Sequence, residues 1–303
     1  MSAPTFNEAG LRGLPPVSPG RVRKDRIART FIGALTLIAL VPLVLVVFYL
    51  LKQGLGAWNG DFFTTDPTGR TCFPGQTTCS IGGVRSAILG TLEIVALASV
   101  IAIPFGTAVA VYLVEYGKQS KFANTVRYFV DVMTGVPSVA FGLFVYIVLV
   151  ASGIGGSYAG WKGSVALALL MLPIVVRSSE VVLNLVPNQL RESALALGAP
   201  RWKVIWSVVL PTARSGLITG SLLAVARAAG ETAPLLFTAF ATNELVFGLG
   251  QPMNSLPLQI FNDVRTPQDA IVQRAWGAAL FLVLLILILN LVARLAQRRS
   301  RLA

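Results

Sequence analysis

Two pairs of oppositely charged residues stand inside apolar stretches of the sequence, where ionised side chains are costly. Arg177 and Glu180 are three positions apart, and Arg227 and Glu231 are four positions apart. In a helix, either spacing puts both side chains on one face, where their charges can neutralise each other. A guanidinium group is also a planar fork of donors that fits the oxygens of an oxyanion. Two interpretations therefore stay open: an anion pathway, or ion pairs that hold helices together.

Most catalytic chemistry is excluded by what the chain lacks. It has no histidine, which excludes histidine metal ligands, Ser-His-Asp triads and Cys-His nucleophiles. The phosphate-binding pattern G-x-x-x-x-G-K-[ST] is absent, since Gly117-Lys118 has neither the upstream glycine nor the following hydroxyl. No cysteines or carboxylates are grouped with metal-ligand spacing. We therefore expect no enzyme activity and no metal site in this chain.

Six long apolar segments are the elements that would position the charged pairs. Of the 303 residues, 54% are hydrophobic and 13% are charged, against roughly 25% charged residues in a soluble domain. The segments are 19 to 29 residues long, and a helix of about 20 residues crosses a bilayer. We predict an all-α membrane protein whose six transmembrane helices cover residues 31–51, 86–114, 128–150, 164–183, 216–241 and 275–293. Two further acidic residues lie in these apolar segments. Glu93 has no predicted role, and Asp131 is close enough to a helix end to reach water.

The positive charges predict the orientation of these helices. The chain has 25 Lys and Arg residues against 13 Asp and Glu, a net charge of +12. With the N-terminus inside, 17 of the 25 fall in cytoplasmic segments, 6 in external segments and 2 in the apolar runs. This bias follows the positive-inside rule, so we expect both termini in the cytoplasm. The basic excess therefore needs no nucleic-acid partner.

Two regions outside the helices carry separate expectations. Residues 1–30 form a basic cytoplasmic tail, rich in Pro and Gly at its start, that we expect to be disordered. Residues 31–303 form the membrane domain. The first external loop contains Cys72 and Cys79 around a Pro-Gly turn, a spacing that allows a tight disulfide, although two free thiols remain the alternative.

The loop between the fourth and fifth runs, residues 184–214, is too polar to span a membrane. Pro187 can start a helix, Gly198 can end it, and Pro200 can start a second short helix. One interpretation is an amphipathic hairpin that lies on the lipid surface. The other is a docking helix for a cytoplasmic partner.

The pattern of this loop resembles the EAA loop of ABC importer permeases, E-A-A-x3-G-x9-I-x-L-P, with Ser and Val in place of one Ala and the Ile. In that family the loop forms a coupling helix that enters a groove on the ATPase subunit. The resemblance implies an ATPase-coupling role for Glu192, Ser193, Ala194, Gly198, Leu210 and Pro211.

Three further segments, 133–144, 172–187 and 227–240, make most of the chain similar to the PstA-type permeases of phosphate ABC importers. The resemblance implies the type I importer permease fold in the plasma membrane and half of a translocation pathway for inorganic phosphate. It also implies a PstC-type permease, a PstB-type ATPase dimer that binds the ATP and Mg, and an external PstS-type binding protein, with no cofactor in this chain. Arg177, Glu180, Arg227 and Glu231 would line the path.

Three alternatives remain at this stage. A permease for sulfate or molybdate would also use arginines. A secondary transporter would use intramembrane carboxylates and need no ATPase, which the EAA-like loop argues against. In a structural or assembly protein of the membrane, the Arg and Glu residues would only join helices.

Overall fold

The computed structural model describes residues 19–68, 81–117 and 120–300, without the side chains of residues 19, 292–294 and 296–300. All regular secondary structure within these ranges is helical. The α-helices are α1 (Pro19–Gly54), α2 (Gly60–Thr64), α3 (Arg85–Val111), α4 (Lys121–Gly135), α5 (Ser138–Val145), α6 (Gly160–Asn184), α7 (Asn188–Ala196), α8 (Arg201–Val204), α9 (Leu210–Ala229), α10 (Ala233–Thr238), α11 (Leu256–Val264) and α12 (Asp269–Ser300). Single π-helical turns extend α3 and α5, and a third joins α8 to α9.

Five helical stretches among these residues are long and apolar enough to cross a membrane: Gly20–Ala57, Arg85–Tyr116, Gly160–Asn184, Arg201–Ala229 and Asp269–Leu291. A sixth span arises if α4 and α5 are taken together, although they bend by 104° at the break between them. The prediction of an all-α membrane fold with six apolar segments is confirmed, while several predicted boundaries are not.

The break between α4 and α5 divides the third predicted helix. Val136 and Pro137 have extended backbone conformations, with ψ of 131° and 141°. Because a proline ring disfavours the helical conformation of the residue before it, the helix ends at Gly135 and restarts at Ser138. The span predicted over residues 128–150 is therefore divided into two helices at Val136 and Pro137.

The fifth predicted helix is also divided. The chain is helical from Arg201 without interruption, but α9 ends at Ala229 with Gly230 as its C-cap. The next helix, α10, begins at Ala233 with Pro234 in its first turn, a position that favours proline because its missing N–H is not needed there. The span thus starts and ends earlier than the predicted 216–241.

The expectations for the N-terminal tail and for the disulfide concern residues that are partly or wholly outside the described ranges. The first helix begins at Pro19, so residues 19–30 of the tail expected to be disordered are helical. Residues 1–18 lie outside the described ranges, and so do Cys72 and Cys79, the two residues of the predicted disulfide.

The chain forms two compact units, one that ends at Leu51 and one that begins at Lys52. The second unit is built around α6, whose buried residues Met171 and Val175 pack against Ala98 and Ala102 of α3 and Ala224 of α9. Small residues permit this close packing of membrane helices.

Candidate functional site

Four charged residues of α4 and α6 form one connected group, called here the membrane charge cluster: Arg127, Asp131, Arg177 and Glu180. The two oxygens of Glu180 accept from Arg127 Nε and from Arg177 Nη1, each at 2.7 Å. Arg177 Nε donates to Asp131 Oδ1 at 2.7 Å, and Arg177 Nη2 contacts the same oxygen. The two positive and two negative charges of the cluster therefore balance.

The sequence predicts only half of this cluster. The three-residue spacing of Arg177 and Glu180 places both on one face of α6, and the structure pairs them there. Arg127 is one of the basic residues counted in the cytoplasmic segments, and Asp131 is expected to reach water at a helix end. Their four-residue spacing on α4 was the available signal, but it did not indicate which face of α4 meets α6.

Arg127 also ties the cluster to the preceding helix. Its Nη2 donates to the carbonyl oxygen of Leu113 at 2.7 Å, in the π-helical turn that follows α3. Its Nη1 donates to Asn124 Oδ1 at 3.1 Å. The cluster thus joins three helices, and Glu180, which is buried, lies at its centre.

Arg177 also lines an open groove of about 580 Å³ between α6 and α9. The groove exists where the two helices approach at glycines: a Cβ atom added to Gly220 would lie 2.5 Å from Ser178 Oγ, and one added to Gly216 would lie 2.5 Å from Val182. The Arg177 side chain is 32% exposed, so it is accessible to a solute while it belongs to the cluster.

The second predicted pair has a different geometry. Arg227 lies in the last turn of α9, and Glu231 lies beyond the end of that helix, so the prediction that both occupy one helix face is wrong. Arg227 Nε and Glu231 Oε1 are nevertheless 3.5 Å apart. The Arg227 side chain is 58% exposed.

The predicted coupling loop consists of α7, a tight turn and α8, as expected, but α8 continues into α9 instead of forming a separate short helix. Gly198 has a φ of 81°, a conformation in which a β-carbon is unfavourable. The predicted ATPase-contact residues differ in how far they are buried. Glu192, Ser193 and Pro211 are exposed. Ala194 and Leu210 pack against the apolar cluster beneath the loop.

A buried arginine, one of the basic residues counted in the cytoplasmic segments, holds α7 in place. Arg191 Nε and Nη2 donate to Glu115 Oε1 at 3.0 and 2.9 Å. Its Nη1 and Nη2 also donate to the carbonyl oxygens of Val186 and Leu183, at 2.6 and 2.8 Å. This loop anchor, Arg191 with Glu115 and the two carbonyls, connects the coupling loop to the ends of the helical stretches that contain α3 and α6.

Comparisons with known proteins agree with this architecture. Residues 102–302 match the family model described as "Binding-protein-dependent transport system inner membrane component". The phosphate transport system permease protein PstA of Pasteurella multocida is 36% identical over 91% of this chain and 95% of its own length. The protein of the same name from Mycobacterium leprae is 40% identical over 92% of this chain and 90% of its own length.

Solved structures give the same fold at lower identity. A bacterial alginate ABC transporter chain covers 92% of this chain and 96% of its own length, with a TM-score of 0.64 and 16% identity. A chain of the MetNI methionine ABC transporter in an inward-facing conformation covers 72% of this chain and 95% of its own length, with a TM-score of 0.61 and 19% identity. The chain therefore belongs to the PstA family of binding-protein-dependent transport system inner membrane components.

Proposed function

We propose that this chain is the transmembrane permease subunit of an ATP-driven importer of inorganic phosphate. The observation that carries the proposal is its similarity, over more than nine tenths of the chain, to several phosphate transport system permease proteins. The chain supplies half of the translocation pathway and hydrolyses no ATP itself. It resides in the plasma membrane with both termini in the cytoplasm, which is the orientation that the positive-inside rule favours.

Arg177, Glu180, Arg227 and Glu231 line the phosphate path in this proposal. The two guanidinium groups are the positive groups that an oxyanion would require inside a membrane, and both are accessible at 32% and 58% exposure. Glu180 and Glu231 keep the path neutral when no anion is present. The membrane charge cluster extends this set to Arg127 and Asp131.

The exposed face of α7 docks on the ATPase. Glu192, Ser193, the Gly198 turn and Pro211 present the contact surface, while Ala194 and Leu210 fix it to the apolar cluster beneath the loop. Movement of the ATPase then reaches the membrane helices through the loop anchor, since Arg191 hydrogen-bonds to residues at the ends of two of them.

Three partners complete the importer in this proposal. A PstC-type permease supplies the other half of the pathway, and a PstB-type ATPase dimer binds the ATP and Mg²⁺. A PstS-type protein delivers phosphate from outside.

ATP-dependent uptake of labelled phosphate by the reconstituted four-component complex tests the proposal. We expect uptake that needs ATP and the binding protein and that excess sulfate or molybdate leaves unchanged. Uptake of sulfate or molybdate in place of phosphate would assign the chain to another oxyanion. Phosphate uptake that persists without ATP would instead support a secondary transporter.

A further inference from the structure

The charges of the membrane charge cluster cancel, which poses a problem for an anion pathway. Arg127 and Arg177 each face a carboxylate, and no other charged side chain among the described residues is within ion-pair distance of the four. An anion that approaches this cluster meets no net positive charge. Arg177 can therefore bind a transported anion well only if one of its own carboxylate partners leaves it.

The two carboxylates differ in how easily they can leave. Glu180 has a side chain that is 9% exposed and accepts hydrogen bonds from both arginines. Asp131 has a side chain that is 58% exposed, and Arg177 is its one ion-pair partner among the described residues. Water can solvate the Asp131 carboxylate as soon as it separates from Arg177, while Glu180 would be left buried. Asp131 is therefore the partner that can be exchanged.

Asp131 also occupies the part of Arg177 that best fits an oxyanion. Its Oδ1 contacts both Nε and Nη2, which form one edge of the guanidinium plane. The parallel donors of such an edge bind carboxylate and phosphate oxygens alike. On the other edge, one N–H group of Nη1 donates to Glu180 at 2.7 Å, and Nη2 also donates to the carbonyl oxygen of Arg127 at 3.4 Å. A carboxylate and a phosphate oxygen therefore compete for the same two nitrogen atoms.

We infer that Asp131 is a resident competitor of the transported anion at Arg177, an inference that rests on the proposed function. In the absence of the anion, its carboxylate holds the Nε–Nη2 edge and joins α4 to α6. An arriving phosphate takes this edge and displaces Asp131 toward the solvent, so the charge at Arg177 stays balanced. The return of Asp131 then releases the phosphate, which prevents a positively charged site from trapping its cargo.

The test is the affinity of the purified permease–ATPase complex for inorganic phosphate, measured by equilibrium dialysis without the binding protein, together with the uptake rate of the complete system. Asp131→Asn keeps the size and one acceptor oxygen but removes the competing charge. We expect its Kd for phosphate to be at least about fivefold lower, a typical coupling between two ligands of one site. Its maximal uptake rate falls because release is slower. Asp131→Glu, which keeps the charge, stays close to the unaltered complex in Kd.

A matched control is Asp66→Asn. Asp66 is also a partly exposed carboxylate that pairs with an arginine, Arg85, but it lies outside the cluster. Its variant should not change the Kd for phosphate.

Asp131→Asn complexes that transport phosphate with an unchanged or higher Kd would overturn the inference, leaving Asp131 as a link between helices. That result leaves the proposed function intact. If the unaltered complex neither binds nor transports phosphate, the proposed function fails, and the inference fails with it.

Discussion

The membrane charge cluster and the loop anchor use the same chemistry in different surroundings. Each joins an arginine to a carboxylate across separate helices. In the anchor, the side chains of Arg191 and Glu115 are 10% and 12% exposed, and two backbone carbonyls take further N–H groups of the arginine. In the cluster, Arg177 lines an open groove and Asp131 is largely exposed. The Arg191 side chain is 10% exposed, against 32% for Arg177, which is the more accessible of the two to a solute.

This difference separates a mechanical role from a binding role. An arginine that is nearly buried and whose N–H groups already have acceptors has no donor left for an anion, and separating it from its carboxylate is costly. An arginine with one solvated partner can exchange that partner at a smaller cost. Accessibility, rather than residue type, is the observation on which we propose a coupling role for Arg191 and a pathway role for Arg177.

Replacement of Arg191 should cause the largest loss of stability and phosphate uptake. Arg191→Gln leaves Glu115 without its partner and removes donors from two carbonyls, so we expect the complex to lose about 3 kcal/mol of stability and to lose phosphate uptake. Thermal unfolding of the purified complex and uptake in proteoliposomes measure the two effects.

A control on the same loop sharpens this prediction. Arg201 is exposed at the start of α8, so Arg201→Gln removes an equal charge without opening a buried site. It should keep its unfolding temperature. Equal stability of the Arg191 and Arg201 variants would contradict the distinction between enclosed and accessible arginines.

Changes on the exposed face of the coupling loop should abolish coupling with little loss of stability. Glu192→Arg reverses a solvent-exposed charge. Gly198→Val places a β-branched residue at a φ of 81°, at a local cost of about 1–2 kcal/mol. We expect both variants to insert into the membrane, to retain less ATPase on purification and to lose uptake.

Gly198→Asn is the matched control, because asparagine tolerates a positive φ better than other residues with a β-carbon. It should keep most of the uptake. Unchanged ATPase retention and uptake in both Glu192→Arg and Gly198→Val would exclude the coupling surface.

A conservative change in the membrane charge cluster should lower phosphate uptake without abolishing it. Arg177→Lys keeps the positive charge but cannot contact Asp131 and Glu180 with the planar fork of a guanidinium. We expect uptake to fall by roughly tenfold, equivalent to about 1.4 kcal/mol, without a change in assembly. Arg191→Lys should lower phosphate uptake more than Arg177→Lys does. The reverse order would contradict the distinction between the two arginines.

The sequence predicts the class of fold, but it predicts the ends and breaks of the helices less well. Apolar segments of sufficient length identify membrane helices, and the loop motif with its Gly198 turn was recognisable. The break after Ala229 was missed, although Gly230 and the proline at position 234 are ordinary signals for the end of one helix and the start of another. A purely apolar criterion does not detect such breaks.

The candidate site was half predictable for a different reason. Spacing along one helix finds Arg177 with Glu180, since both lie on α6. It cannot find Arg127 with Glu180, which are separated by 53 positions, or Arg191 with Glu115, which are separated by 76. Those partners depend on which faces of the helices meet, and this is set by packing of the whole unit.

The most direct test of the central claim, that the accessible arginines bind the transported anion, is phosphate uptake by complexes that carry Arg177→Gln or Arg227→Gln. Arg227 is the sharper of the two, because its side chain is 58% exposed and its contact with Glu231 is 3.5 Å long, so its loss should hardly affect assembly. We predict that both complexes assemble, bind ATP and transport no phosphate. Normal transport by both assembled variants would contradict the claim, and failure of both to assemble would show that the arginines join helices instead.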